Sequence, residues 1–121
     1  MGYMRHRAMI VTSWNREDIL IAHKRAVEIY HRKNMISDVC PVQVNGYSSF
    51  AIFPDGSKLG WEDSDRSNSD RHNFIYWLRC QAGQNKWFDW VEVQFADDER
   101  VTKICAHSDE ERVYENNRSV F

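Results

Sequence analysis

The sequence predicts an α+β domain in which two helices cover one face of a mostly antiparallel sheet. Three observations carry this. Short β-rich runs centre on Ile10, Phe50 and Val93, two longer stretches repeat apolar residues at helical steps, and an Asn45-Gly46 pair sits between two β-rich runs. A chain of 121 residues, 42% hydrophobic and 13% aromatic, suits one core without staples.

The run 5–14 reads as a first strand around Ile10, Val11 and Thr12. Asn15 then offers an N-cap, with Glu17 and Asp18 at the positive end of a helix dipole. Ile19, Ala22, His23, Ala26, Val27 and Tyr30 form one stripe of a helix expected to reach about Lys33, with His31, Arg32 and Lys33 in its last turn. His23 lies on the stripe and reads as a packed histidine. Residues 37–44 read as a second strand, and Pro41, which has no N–H, points to a sheet edge or a strand start. Asn45-Gly46 turns the chain into a third strand, 47–53, which the PDGS turn at 54–57 closes.

Residues 58–70 read as a polar connector around Gly60, with Ser67 and Asp70 at capping-box spacing. A second helix follows, its stripe formed by Phe74, Trp77, Leu78 and Gln81 and its stop by Gly83. Residues 87–95 alternate strictly. The reading buries Val91, Val93 and Phe95 under the helices and leaves Trp90, Glu92 and Gln94 outside. After a turn at 96–100, residues 101–107 read as the last strand. The resulting order, β-α-β-β-α-β-β, is a ferredoxin-like split βαβ plan with an extra strand. Residues 1–107 form the single domain. Residues 108–121 form a charged tail or a short helix capped by Ser108 and Glu111.

The formal net charge of −2 argues against a protein living mainly on phosphate contacts. Cys40, Cys80 and Cys105 are widely spaced and contain no CxxC, so they read as reduced thiols of a cytoplasmic protein, with no metal site and no cofactor. No apolar run suits a signal peptide or a membrane span. Residues 63–74 begin like a calcium loop at Asp63, Asp65 and Ser67. They place Asn68 and Phe74 where that loop needs Gly and a bidentate Glu.

The stretch NGYSSFAIF, 45–53, has the look of an RNA-recognition strand. Tyr47 and Phe50 are three apart, however, and so point to opposite faces, while Tyr47 shares its face with Phe53. Arg5, Arg7, Tyr47 and Lys103 make up an alternative nucleic-acid surface on the open sheet face. His6, approached by His107, is the centre of a third reading as a small enzyme. No nucleophile with an organised base can be read around it. The connector carries the leading candidate, a protein-binding surface of Lys58, Trp61, Glu62, Asp63, Asp65 and Arg66, joined on the open face by Trp90, Glu92 and Lys103, with Trp61 reading either as an interface anchor or as a lid folded over the core.

The stretches MRHRAMIVTSWN (4–15), NGYSSFAIFPDGSKLGWEDSD (45–65) and FDWVEVQFADD (88–98) together resemble small uncharacterised accessory proteins of tailed bacteriophages. Those proteins carry His-His where this chain has His6-Arg7, and an acid where it has Leu59. The resemblance implies no activity. It implies a setting, the cytoplasm of a bacterial host, and interference with a host protein. The leading expectation is therefore a non-enzymatic binding protein that contacts a host or phage protein, with a homodimer compatible with its open face.

Overall fold

The computed structural model describes residues 4–96, 98 and 100–109. Its elements are β1 (His6–Ser13), α1 (Arg16–Ile29), β2 (Ser48–Ile52), α2 (Glu62–Ala82), β3 (Asp89–Phe95) and β4 (Lys103–His107). The four strands form one antiparallel sheet in the order β2-β1-β3-β4. Both helices cover the same face of it, as the sequence predicts for an α+β chain.

β1 lies at the centre because it can be buried on one side along its length. Met9, Val11 and Ser13 point under the helices, whereas Ala8, Ile10 and Thr12 point away. The Asn15 side chain caps α1 by accepting from the Asp18 N–H at 3.1 Å. Ile19, Ala22 and Ala26 are the buried stripe. α1 ends at Ile29, earlier than its periodicity implied, and no basic residue lies in its last turn. The Lys33 ammonium instead folds back onto the carbonyls of Val27 and Tyr30.

The expected strand at 37–44 is not a regular one, and the reason is chemical. Ser37 and Cys40 donate backbone N–H groups to Ala51 and Ser49 of β2. The returning N–H groups are intercepted by side chains: Ala51 donates to the Ser37 hydroxyl at 2.8 Å and Ser49 to the Cys40 sulfur at 3.3 Å. The segment therefore flanks β2 as an irregular ribbon. The turn at its end is the one expected. Asn45 and Gly46 both adopt left-handed backbone, and a Cβ on Gly46 would press on the Trp14 carbonyl at 3.3 Å.

The polar connector is a larger departure. α2 begins at Glu62, so most of that stretch is helix, with Glu62, Asp63 and Asp65 in its first turn. Ser67 and Asp70 lie inside α2 and form no capping box. Asp63, Asp65 and Ser67 are helical and form no calcium loop. Further along, Phe74, Leu78 and Gln81 are buried as predicted, beside half-buried Trp77. Phe74 is the centre of the core. Its ring stacks on Trp77 with centroids 6.0 Å apart and meets Tyr30 and Phe50 at an angle.

β3 has the opposite phase to the one expected. Trp90, Glu92 and Gln94 are buried at 4%, 3% and 2% exposure, while Val91, Val93 and Phe95 face away from the helices. A bulge between Glu92 and Val93 shifts the register with β4. Beyond β4, Ser108 is buried and exchanges bonds with the Trp90 backbone, so the ribbon continues past residue 107. The capping box of Ser108 with Glu111 involves a residue outside the described ones.

Candidate functional site

The open face of the sheet is built by alternation. Ala51 of β2, Ile10 of β1, Val91 of β3 and His107 of β4 lie in one row across it. Ala8, Val93 and Ile104 make the next row, and His6 and Phe95 the one beyond. Ile10 is 53% exposed and Ile104 62%, and Phe53, which follows β2, is 51% exposed. One end of the face is polar, where Thr12 and Ser49 share a hydroxyl hydrogen bond of 2.7 Å beside Asp89. An apolar centre with a polar rim is the anatomy of a protein interface.

Few of the residues singled out in the sequence lie on this face. Tyr47 is exposed next to β2 while Phe50 is buried, the opposition that their spacing predicted. Trp90 and Glu92 do not belong to the open face, because they sit under α2. Arg7 shares their side and donates to the Gln94 side chain at 3.3 Å. Lys103, paired in register with Gln94, is on the helix side too. His6 and His107 are not neighbours. His6 stands opposite Phe95 and His107 opposite Val91, about 13 Å apart along β3. His6 instead packs against the Phe95 ring, with centroids 5.6 Å apart.

The former connector residues surround the start of α2. Trp61 occupies its N-cap position, 52% exposed. Asp63 pairs with Arg32 at 2.9 Å, both largely solvated. Lys58 bridges to Met4, and Arg66 is exposed on α2.

Sequence reasoning missed the charged cluster beneath the helices. The Arg71 guanidinium meets the Glu92 carboxylate at 2.5 Å, with both side chains more than nine-tenths buried, and donates to Asn68 at 2.7 Å. Burial pushes Glu92 above the usual carboxylate range, opposed by the positive charges of Arg71 and Arg7. Burial likewise lowers Arg71, against the pull of Glu92. Tyr30 is raised strongly by burial. Arg7 and Arg71 line a cavity of about 130 Å³ with Tyr30, Ser57, Ser67 and Asn68. The available signal was the spacing of Arg71 on the Phe74 and Leu78 stripe, which turns it inward.

His31 and Asp70 form a second, partly buried contact. Asp70 accepts both the His31 backbone N–H at 2.9 Å and Nδ1 at 2.6 Å. Nε2 of the same ring is enclosed without a partner, so the pair ties α2 to the end of α1 and presents no base to solvent. His23 is the packed histidine its position predicted. Its Nε2 donates to the Ser37 carbonyl at 3.0 Å, and its ring meets Phe50 edge-on. Among the described residues no His, Cys, Asp and Glu group could hold a metal ion, and no described helix is long and apolar enough to cross a membrane.

Among the described residues these features define a small α+β protein with one helix-covered sheet face, one open apolar face and a charged cluster between the layers. No protein-family model, curated protein or solved structure matches the chain.

Proposed function

We propose that this is a non-enzymatic binding protein that takes a protein partner on the open face of its sheet. The carrying observation is exposed Ile10 and Ile104, in adjacent rows, and the neighbouring Phe53 on a face no helix covers among the described residues. Charge selects the class of partner. The only Asp, Glu, Lys or Arg among the sheet residues of that face is Asp89, which would repel phosphates. Trp61 is an additional exposed anchor. The resemblance to phage accessory proteins supports a bacterial cytoplasm as the setting and a host or phage protein as the partner.

The finer fold reading belongs to the same proposal. With the 37–43 ribbon counted beside β2, the arrangement suits a ferredoxin-like plan extended by β4 at the other edge.

The test is affinity capture from bacteria expressing the chain, with Ile10→Arg and Phe53→Asp alongside. Both variants should keep the melting temperature and lose the captured protein. Capture that survives both substitutions would sink the proposal, and so would captured material that nuclease removes.

The nucleic-acid alternative retains one favourable observation. Arg7, Arg79 and Lys103, with exposed Tyr76, line a groove of about 590 Å³ between α2 and β4. This differs from the surface expected, since Tyr47 and Arg5 do not line it. RNA bound there should dissociate steeply with added salt, and Lys103→Ala should flatten that dependence.

A further inference from the structure

We propose that the cavity between the start of β1 and the first turns of α2 binds a small aliphatic carboxylate. It adjoins the open face at His6, Ala8 and Phe53, but its charged groups, Arg7 and Arg71, lie on the helix side. The argument begins with charge. Glu92 makes its direct ion pair with Arg71, whereas Arg7 bonds the neutral Gln94 side chain and has no carboxylate in contact among the described residues. A carboxylate in the cavity would give the Arg7 guanidinium a direct partner.

Hydrogen bonding points the same way. Arg7 Nε and the Tyr30 hydroxyl are both enclosed and have no partner, and both side chains line the cavity. Tyr30 is only 2% exposed. Buried donors are normally satisfied, so these two at one cavity offer hydrogen bonds to an acceptor bound there. The one carboxylate that lines the cavity is already committed. Asp55 accepts from the Ser57 N–H at 2.9 Å, from the Ser57 hydroxyl at 2.6 Å and from the Ser67 hydroxyl at 2.6 Å.

The walls decide the kind of anion. Met9, Met35, Ile52 and Leu59 line the same space. A carboxylate with a short alkyl tail uses both the donors and these apolar walls, whereas inorganic phosphate uses only the donors. At about 130 Å³ the cavity is close in size to engineered cavities that admit a benzene molecule, which suits butanoate.

The test is a titration of the ¹⁵N-labelled chain with butanoate at neutral pH and constant ionic strength, reading the Arg Nε–H resonances. Butanamide and inorganic phosphate are the comparison probes. The expected result is a saturable one-to-one shift of the Arg7 signal with butanoate, no shift with butanamide and a weaker response to phosphate. Tyr30→Phe should weaken butanoate binding about tenfold, as loss of a bond to a charged group does. Arg7→Gln, which removes the charge without a large cavity, should abolish binding, read from the backbone amides of Ser57 and Asn68. The amide spectrum of each variant reports its folding. Absence of saturation, an equal response to butanamide, tighter binding of phosphate, or undiminished binding by both folded variants would overturn the proposal.

Discussion

Replacing Arg71 by Met tests the charged cluster most directly. Met keeps the unbranched stem of Arg71, so packing along the stem is retained while the cation disappears. Glu92 is then left 3% exposed, without the guanidinium it contacts at 2.5 Å. Removing one partner of a buried pair typically costs 3–5 kcal/mol, and Arg7 remains close enough to place the loss at about 3 kcal/mol. The sign of the pH dependence follows from Glu92. Burial raises its folded pKa above the ordinary 4.5, so the folded state binds the proton more tightly than the unfolded one. Stability therefore falls as pH rises from 4.5 through the folded value, and loss of Arg71 extends that window upward. The deficit of Arg71→Met should be largest near about pH 8 and shrink toward about pH 5. Urea denaturation at both pH values measures it. The double variant Arg71→Met, Glu92→Leu should recover most of the loss, because a well-packed apolar pair replaces a buried ionic one at little cost. A deficit that is the same at both pH values, or a double variant no better than the single one, would refute the reasoning.

Three further outcomes are expected. Asn15→Ala removes the cap of α1 and should lower stability by about 1 kcal/mol, read as a shifted urea midpoint. Trp61→Ala should leave the midpoint within about 0.5 kcal/mol of wild type, since the ring is exposed at the N-cap of α2; a loss as large as that of a core residue would make it structural. Burial acts to raise the Asp55 carboxyl, yet hydrogen bonds from Ser57 and Ser67 and the charge of Arg32 hold it below its ordinary 3.8. Its contribution is present above 3.8 and lost as pH falls through the lower folded value, so Asp55→Asn should flatten the acid limb of the stability profile.

What the sequence made legible follows from how local each signal is. The Asn15 cap, the α1 stripe and the Asn45-Gly46 turn depend on neighbours within a few residues, and all three stand in the structure. The strand at 37–44 failed because Ser37 and Cys40 side chains compete for β2 N–H groups, a matter of contacts across the ribbon. The start of α2 was hidden by composition. DSDRSNSD lacks an apolar stripe, since this end of the helix buries Ser64 where a longer helix stripe would carry Leu or Ile. Its acidic first turn, Glu62, Asp63 and Asp65, is the one local signal of a helix start there.

The phase of β3 is the more instructive case, because it moved the candidate site. Alternation shows that Val91, Val93 and Phe95 share one face and Trp90, Glu92 and Gln94 the other, but hydrophobicity alone assigns the first set to the core. That assignment assumes polar groups have no partners inside. Here α2 supplies Arg71 to Glu92 and β1 supplies Arg7 to Gln94, from positions separated in sequence by 21 and 87 residues. Trp90 contributes more apolar surface than any residue of the opposite set, and it takes Glu92 and Gln94 inward with it, with Arg79 set over its ring at 5.7 Å. The consequence runs to function. A strand whose valines face solvent gives the sheet an open apolar face for a partner, and a strand whose acid faces inward gives Arg71 its buried counter-ion. The open face and the buried ion pair arise from the same choice of phase, so a substitution that reversed it would remove both together.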